Sequence, residues 1–494
     1  MGDSKKSKNP NISNKNKTSY ENDDLLNQLH MTPKEFEDEF GVSINEFEQD
    51  VGVSVNELLD NLNLLDDDES NKRHINSNSD IDTDAEEEID DSIVTGINEA
   101  REYFRRTKFA PKNNIEKVEI RTLAFACELT PAKTVIPVIK CINELEEKGE
   151  LNWKHTRIIG LYHGEGVKEL IEPYCDQVFY IGEGRRANQS NKGNTHLAGL
   201  IFRDIFKALK AMIGEQIDLL ITCGNAGDVR KSIAAAKLLR TPVLHIEQDI
   251  YNPIELISQA NLITVPSKDY ELYLKIQYGL KNVINIGGYP MAKYVQDQVL
   301  NHDLLSKEEI EEKFGFSHYI LVLLGGDLKK EDLSDLIPLV DGFDYPTLIA
   351  PFRFDKNYVE SLSNSSKVKV LDNHVDMISL TYSADALIYG AGMGMTIEAG
   401  VLKVPSIKIY GYHVFHSSIN LAKELNIPIV NIWDIPKALM KLYPPSGDLV
   451  ENGQLAIYNL VNIINNFNYS LKKGNIKNTF KIWRARSKFK SSQR

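Results

Sequence analysis

Three glycines at alternate positions, followed by one acid, form the pattern in this chain with the clearest chemical meaning. The segment "DALIYGAGMGMTIEAGVL" (385–402) places Gly390, Gly392 and Gly394 after a short apolar run, and Glu398 follows four residues later. Glycine lets a backbone approach a ligand closely because it has no Cβ. The start of the helix predicted after this loop presents unpaired N–H groups and a partial positive charge, which suits an anion such as a diphosphate. About one turn further, the Glu398 carboxylate is able to accept two hydrogen bonds from a sugar diol.

The same residues also have a purely structural explanation. In this alternative the glycines allow a strand and a helix to pack closely, and Glu398 is a capping residue. A glycine-rich loop alone has low specificity, and this loop departs from the GxGxxG pattern. Both explanations stay open from the sequence.

A second glycine loop is predicted beside the first. The segment "LVLLGGDLKK" ends an apolar strand with Gly325 and Gly326. Arg353 in "APFRFDKNY" ends another strand, and its guanidinium is able to bind a phosphate through two parallel hydrogen bonds. A surface salt bridge is the alternative role for Arg353.

Alternating strands and helices predict the domains that position these loops. From about residue 115, near-continuous apolar runs such as "VEIRTLAFACEL" alternate with amphipathic segments, which is typical of a parallel sheet covered on both faces. The pattern pauses at "YPMAKYVQDQVLNHDLLSKEEIEEKFG" and restarts at "YILVLLGG". The predicted fold class is therefore α/β, with two tandem doubly wound Rossmann-like domains and a cleft between their carboxyl-edge loops. The predicted boundaries are a disordered segment 1–30, a short-helix repeat module 31–65, an acidic linker 66–95, an N-terminal domain 96–290, a helical connector 291–316, a C-terminal domain 317–470 and a basic tail 471–494.

The N-terminal extension carries a local repeat with an eleven-residue step. Its units open at Thr32, Ser43 and Ser54, each with the pattern Ser/Thr-x-x-Glu that forms a capping box. Helices this short must pack together or against a partner, so a small helical appendage and a docking module for a protein partner both remain open. The acidic stretch "DIDTDAEEEIDD" that follows predicts a solvated linker.

The basic tail has the opposite charge. Residues 471–494 hold nine lysines and arginines and no acid, with aromatic residues between them. This composition suits a peripheral contact with an anionic membrane surface or with the polar heads of lipid-linked substrates. A terminal helix over the core with a frayed basic end is the alternative.

Composition excludes several classes of protein. The net charge of −13 argues against nucleic-acid binding, and no apolar run reaches the ~18 residues of a membrane span. Four cysteines without a CxxC spacing predict reduced thiols rather than a disulfide framework or a zinc site. We therefore expect a cytoplasmic protein without a metal, in which the basic tail is the candidate for a membrane contact.

The glycine loops and the acid resemble the glycosyltransferase-B superfamily, which includes MurG-type glycosyltransferases and non-hydrolysing UDP-N-acetylglucosamine 2-epimerases. The resemblance covers roughly residues 115–430, and "GAGMGMTIEAGVLKVP" is also similar to "GAGGTM-x-x-EAA-x-LG-x-P" of an uncharacterised archaeal family with this fold. It implies that Glu398 holds the nucleotide ribose and that the diphosphate is lined by Gly390, Gly392, Gly394 and Thr396.

The first domain also resembles the epimerases, with departures. The segment "TPVLHIEQDIYNPIELISQANLITVPS" is similar to their His-Val-Glu-Ala-Gly and Pro-Glu-Glu elements, which implies that His245, Glu247 and Glu255 correspond to their histidine and two acids. Asn225 stands where the epimerases have an aspartate, and an amide cannot act as an acid or base. Their His-Arg-Arg-Glu-Asn segment is absent, and "LLGGDLKKED" stands in its place. These departures weigh against epimerase chemistry.

The resulting hypothesis is sugar transfer from a nucleotide sugar, expected to be a UDP-sugar, to a lipid-linked or cell-envelope acceptor. Helix N-termini and an arginine stabilise the departing diphosphate without a metal, and no cofactor is expected besides the substrate. A carboxylate across the cleft would deprotonate the acceptor; Glu247, Asp249 and Glu128 are the candidates, and the sequence does not choose between them. An epimerase-like isomerase or hydrolase and a non-catalytic binding protein remain as alternatives.

Overall fold

The computed structural model describes most of the chain after residue 117. The described residues are 118–164, 166–182, 205, 207–224, 227–249, 257–301, 304–325, 328–352, 354–372, 375–411 and 417–471. The predictions for the N-terminal repeat, for the acidic linker and for all but the first residue of the basic tail lie outside these residues.

The first domain is built on a parallel sheet. Within the described residues seven strands form this sheet in the order β3-β2-β1-β4-β5-β6-β7, and every pairing is parallel. The chain therefore reverses its winding direction between β1 and β4. The strands are β1 Val118–Cys127, β2 Trp153–His163, β3 Gln177–Gly182, β4 Leu219–Cys223, β5 Val243–Ile246, β6 Leu262–Val265 and β7 Val283–Asn285.

Helices cover both faces of this sheet, because most residues of its central strands are apolar and buried. Two separate buried clusters, one on each face, contain alternate residues of β1: Ala124 and Ala126 in one, Leu123 and Phe125 in the other. The helices of this domain are Leu129–Glu147, Val167–Ile171, Gly227–Leu238 and Lys268–Tyr278.

The second domain repeats the same architecture. Six described strands form a parallel sheet in the order β10-β9-β8-β11-β12-β13, so its winding reverses between β8 and β11. The strands are β8 Ile320–Leu323, β9 Thr347–Ala350, β10 Val368–Val370, β11 Ala386–Tyr389, β12 Ser406–Ile409 and β13 Ile429–Val430. The helices are Lys330–Asp341, Lys356–Ser361, Met377–Ser383, Met393–Leu402, Ser417–Glu424 and Ile435–Leu439.

Three further helices join the domains. Met291–Leu300 and Lys307–Phe314 lie between the two sheets in sequence, in the segment predicted as a helical connector. The last helix, Leu449–Asn465, returns to the first domain, where Ile457 and Leu460 are buried in the same cluster as Phe125. Packing thus joins this helix to the first sheet, although the predicted second domain runs to residue 470. The predicted boundaries themselves stay predictions.

The two-domain α/β prediction is confirmed by these sheets. The four cysteines form no disulfide with one another, and burial raises the pKa of Cys141 to about 11 and that of Cys175 to about 12. Across the described ranges, no helix combines the length and the apolar character that crossing a bilayer requires.

Candidate functional site

Two glycines that the sequence analysis assigned to the site, Gly325 and Gly390, lie where the strand order of the second sheet reverses direction. Gly325 follows β8 and Gly390 follows β11, the two neighbouring strands at the reversal, which is the place where open α/β sheets bind ligands. A Cβ on Gly325 would lie 2.4 Å from the Ala391 Cα, and one on Gly390 would lie 2.4 Å from the Leu328 Cγ. Contact between the two loops therefore explains both glycines, and their contact with a ligand stays a prediction.

A helix begins directly behind this loop. We call residues 390–392 the glycine loop and Met393–Leu402 the glycine-loop helix; Gly392 is its N-cap and provides no side-chain cap. The first N–H groups of an α-helix have no partner within the helix. The glycine-loop helix starts at Met393, so Gly394 lies inside its first turn.

A helix of the first domain begins next to the start of the glycine-loop helix. The helix Leu129–Glu147, here called the first-loop helix, starts immediately after β1, and its N-cap Glu128 makes no side-chain cap hydrogen bond. A Cβ on Gly394 would lie 2.6 Å from the Thr130 Cγ2. The starts of two helices from different domains are therefore in contact, and Gly394 is required by this contact.

Glu398 lies at the same domain boundary. Its residue is 3% exposed, and its Oε1 accepts a hydrogen bond of 2.6 Å from the Lys133 Nζ on the first-loop helix. Its Oε2 is buried and has no hydrogen-bond partner among the described residues. The carboxylate thus has one oxygen held across the boundary and one buried oxygen that no described residue binds. Lys133 is a residue that the sequence reasoning did not single out.

Thr396 acts on the backbone of the glycine loop. Its buried hydroxyl donates to the Gly392 carbonyl at 3.2 Å and accepts a hydrogen bond from the Tyr389 hydroxyl, also at 3.2 Å. The hydroxyl is thus engaged with the loop, and its predicted contact with a diphosphate remains a prediction.

Lys408 also lies beneath this loop, and the sequence analysis missed it. It stands in β12 and is 1% exposed, and its Nζ donates to the Ala391 carbonyl at 2.6 Å. The only sequence signal was a single lysine inside the otherwise apolar run "PSIKIYG".

At the edge of the first sheet, a buried acid lies beside a buried histidine. The His245 Nδ1 lies 2.9 Å from the Thr222 Oγ1, and its Nε2 lies 3.5 Å from the Glu247 Oε2. The Asp249 N–H donates to the Glu247 Oε1 at 2.8 Å. Burial raises the pKa of the Glu247 carboxyl, while His245 acts in the opposite direction. Glu247 is thereby suited to holding or exchanging a proton.

Asp249 joins this edge to the second domain. The Ser417 hydroxyl, at the start of the helix Ser417–Glu424, donates to the Asp249 carboxylate. Both residues are buried. This is a second polar connection between the domains, in addition to the pair of Lys133 and Glu398.

Glu128 is the most accessible of the three candidate bases. Its side chain is 28% exposed, whereas that of Glu247 is fully buried. The Glu128 Oε1 lies 3.3 Å from the Nδ1 of His163, the last residue of β2, and the His163 Nε2 lies 3.4 Å from the Lys231 Nζ. A base must reach the acceptor, which favours Glu128.

Four predicted site residues lie outside the described residues. They are Gly326, Arg353, Asn225 and Glu255, and their assignments stay predictions.

Comparison with known proteins establishes the fold. No protein-family model matches the chain, and the search of curated proteins found no match. Among solved structures, the chain is similar to the UDP-GlcNAc 2-epimerase of Methanocaldococcus jannaschii in complex with UDP-GlcNAc and UDP, with a TM-score of 0.52, 15% identity and coverage of 70% of this chain and 99% of that one. The chain is also similar to the Rickettsia bellii UDP-N-acetylglucosamine 2-epimerase. The TM-score is 0.52, the identity is 15%, and the match covers 71% of this chain and 97% of that one.

A third match is the Staphylococcus aureus MnaA–UDP structure, with a TM-score of 0.53, 14% identity and coverage of 72% and 99%. At this level of identity the likeness shows a shared fold. The predicted glycosyltransferase-B fold is confirmed.

Proposed function

We propose that this chain is an enzyme that binds a nucleotide sugar between its domains, cleaves the bond between the anomeric carbon and the diphosphate, and transfers the sugar to an acceptor hydroxyl. The observation that carries the proposal is the Glu398 carboxylate. It is buried at the domain boundary, Lys133 holds one of its oxygens, and the other lacks a partner among the described residues. A buried polar atom without a partner is costly, and a ribose hydroxyl would supply the missing donor.

The diphosphate is assigned to the meeting point of the two helix starts. Neither Glu128 nor Gly392 caps its helix with a side chain, and each helix N-terminus favours a nearby anion by about 0.3–1 kcal/mol at an exposed site. The methyl group of Thr130 shows that the two starts touch. Negative charge grows on the diphosphate as the glycosidic bond breaks, so amides fixed at this place stabilise the transition state.

The nucleotide is proposed to be UDP. Two solved structures with this fold contain bound UDP, and the likeness extends along nearly the whole length of those chains. Glu398 then takes the ribose and the glycine-loop helix takes the diphosphate.

Glu128 is proposed as the base that deprotonates the acceptor. It directly precedes the first-loop helix, and its partly exposed side chain is able to reach an acceptor at the cleft. His163 lies against its Oε1 and orients the carboxylate. Glu247 and Asp249 are buried, and we assign them to shaping the edge of the first sheet.

Isomerisation or hydrolysis of the nucleotide sugar is the second candidate. It is favoured by the adjacent His245 and Glu247 and by the fold shared with UDP-GlcNAc 2-epimerases. Cleavage of the same carbon–oxygen bond would begin this reaction, and the absence of an acceptor would distinguish it from transfer. The amide of Asn225 and the missing His-Arg-Arg-Glu-Asn segment weigh against it.

Product analysis tests the proposal. Purified protein is incubated with UDP-GlcNAc and a panel of other nucleotide sugars, with and without lipid-linked saccharides, and nucleotides and sugars are separated by chromatography. Release of UDP that requires an acceptor is the expected result. A new sugar isomer, or UDP released without an acceptor, would support the second candidate. Absence of both binding and turnover would leave a non-catalytic protein on this fold.

A further inference from the structure

A lysine is buried inside the second sheet, directly below the glycine loop. Lys408 lies in β12 between apolar neighbours, and the strand is buried along its length. Taking an ammonium group out of water costs several kcal/mol unless it is well bonded. A lysine at this position therefore calls for an explanation in terms of its contacts.

Its contacts are with the backbone and the side chain that precede the glycine-loop helix. Lys408 is the direct register partner of Tyr389 on β11, and its Nζ lies 5.1 Å from the centre of the Tyr389 ring. The same Nζ donates to the Ala391 carbonyl at 2.6 Å. The positive charge thus lies at the loop that leads into the helix.

These bonds determine which way the loop amides face. Lys408 holds the Ala391 carbonyl and the Thr396 hydroxyl holds the Gly392 carbonyl. In a planar trans peptide the C=O and the N–H point in opposite directions, and the described residues contain no cis peptide bond. The N–H groups of Gly392 and Met393 therefore point away from the groups that bind these two carbonyls.

We infer that Lys408 is a positioning residue for a diphosphate: its ammonium fixes the Ala391 carbonyl so that the following amides face the anion, and its charge adds to that of the helix N-terminus. This inference rests on the proposed function and extends it to a residue that does not itself need to touch the ligand. Opposite charges attract more strongly where water is excluded than in bulk water, and Lys408 is buried. Removing the lysine should therefore weaken binding of the diphosphate and leave recognition of the nucleoside intact.

The chain offers a closely matched control. Lys369 also stands in a strand of the second sheet, its Nζ also donates to a backbone carbonyl, that of Lys313 at 3.3 Å, and it lies 6.0 Å from the centre of the Phe314 ring. Lys369 is exposed, however, and its strand β10 is an edge strand distant in the sheet order from β12. Lys369 therefore makes the same kinds of contact as Lys408 but does not lie below the glycine loop.

The test measures dissociation constants for UDP and for uridine by calorimetry, using the full chain and the variants Lys408→Met and Lys369→Met. We expect Lys408→Met to weaken UDP binding at least tenfold, about 1.4 kcal/mol, with uridine binding changed less than twofold. Lys369→Met should change neither. Circular dichroism and thermal melting establish that the variants fold.

Lys408→Gln keeps the test decisive if the methionine variant does not fold, because an amide is still able to donate to the Ala391 carbonyl without a charge. A loss of UDP affinity at least threefold greater than the loss for uridine is expected for this variant. Equal losses for the two ligands, or no loss for UDP, would overturn the inference while leaving the proposed function standing. A wild-type chain that binds no UDP or nucleotide sugar would overturn both.

Discussion

The carboxyl edges of the two sheets use different chemistry on the same architecture. The edge of the first sheet carries ionisable side chains, with Glu128 next to His163 and Glu247 next to His245. The edge of the second sheet carries Gly325 and Gly390, whose positions leave no room for a Cβ. In the proposed function the two edges therefore contribute different groups: glycine loops of the second edge leave backbone amides next to the diphosphate, and acidic side chains of the first edge serve in proton transfer.

Substitution of the acid Glu128 at the first edge should reduce turnover without reducing the affinity for UDP. Glu128→Gln should lower kcat at least 100-fold, because an amide does not accept the acceptor's proton and general-base catalysis contributes about 10²–10⁴. The dissociation constant for UDP should stay within twofold. Steady-state kinetics and calorimetry on the same preparation check this.

Glu172→Gln is the matched control for this change. Glu172 is also an acid of the first domain, but it is exposed and pairs with Lys168, so kcat should not change. Loss of UDP affinity in Glu128→Gln would show that this carboxylate takes part in nucleotide binding, and its assignment to proton transfer alone would be wrong.

Substitution of Glu398 in the second domain should instead weaken binding of the nucleotide sugar. Glu398→Ala is expected to weaken nucleotide-sugar binding at least tenfold, about 1.4 kcal/mol, because the ribose loses its acceptor and Lys133 loses its partner. Calorimetric titration measures the change, and Glu331→Ala, at an exposed acid of the same domain, should leave binding as it is. An unchanged dissociation constant for Glu398→Ala would remove this residue from the site.

A rescue experiment tests the contact between Gly394 of the second domain and Thr130 of the first. Gly394→Ala places a Cβ 2.6 Å from the Thr130 Cγ2, and overpacking of this kind costs about 1–3 kcal/mol. We expect about a fivefold loss of UDP affinity, since the two helix starts are pushed apart. Thr130→Ser removes the opposing methyl group and should restore binding in the double variant. Failure of this rescue would mean that Gly394 acts through something other than the domain contact.

The smallest predicted effect concerns pH and the buried acid of the first edge. Burial raises the pKa of Glu247 above its ordinary value of 4.5, so the folded state holds this proton more tightly than the unfolded state. Its contribution to stability is fully present below about pH 4.5 and is lost as the pH rises through the folded pKa. The Tm of Glu247→Gln relative to wild type should therefore increase by a few degrees across that interval.

Glu271→Gln provides a control of opposite sign. Hydrogen bonds from Lys268 and Lys275 lower the pKa of Glu271, so its contribution is present above its ordinary pKa and lost as the pH falls. The Tm of Glu271→Gln relative to wild type should decrease or stay level with rising pH. The same trend in both variants would contradict the assigned cause.

Much of the fold was predictable because buried parallel strands have nearly continuous apolar sequences. The glycine loop was also predictable, since its glycines follow such a run directly. Contacts between the domains were not, because they join residues far apart in the sequence: Lys133 and Glu398 are separated by 265 positions, and no local pattern links them.

Two further features were hidden for other reasons. Lys408 stands in a strand whose pattern indicates burial, and its significance depends on the Ala391 carbonyl of a neighbouring loop. The helix Leu449–Asn465 has an ordinary apolar face, and only packing shows that this face covers the first sheet. In both cases the local pattern indicates the element itself, but the residues that the element contacts are not visible in that pattern.

The central claim is that the two helix starts and Glu398 hold a nucleoside diphosphate between the domains. A crystal structure of the full chain with UDP tests it most directly. We expect phosphate oxygens within hydrogen-bond distance of the N–H groups of Met393 or Gly394, and a ribose hydroxyl that donates to the Glu398 Oε2. UDP bound elsewhere, or a Glu398 carboxylate still without a ligand contact in the UDP-bound structure, would contradict it.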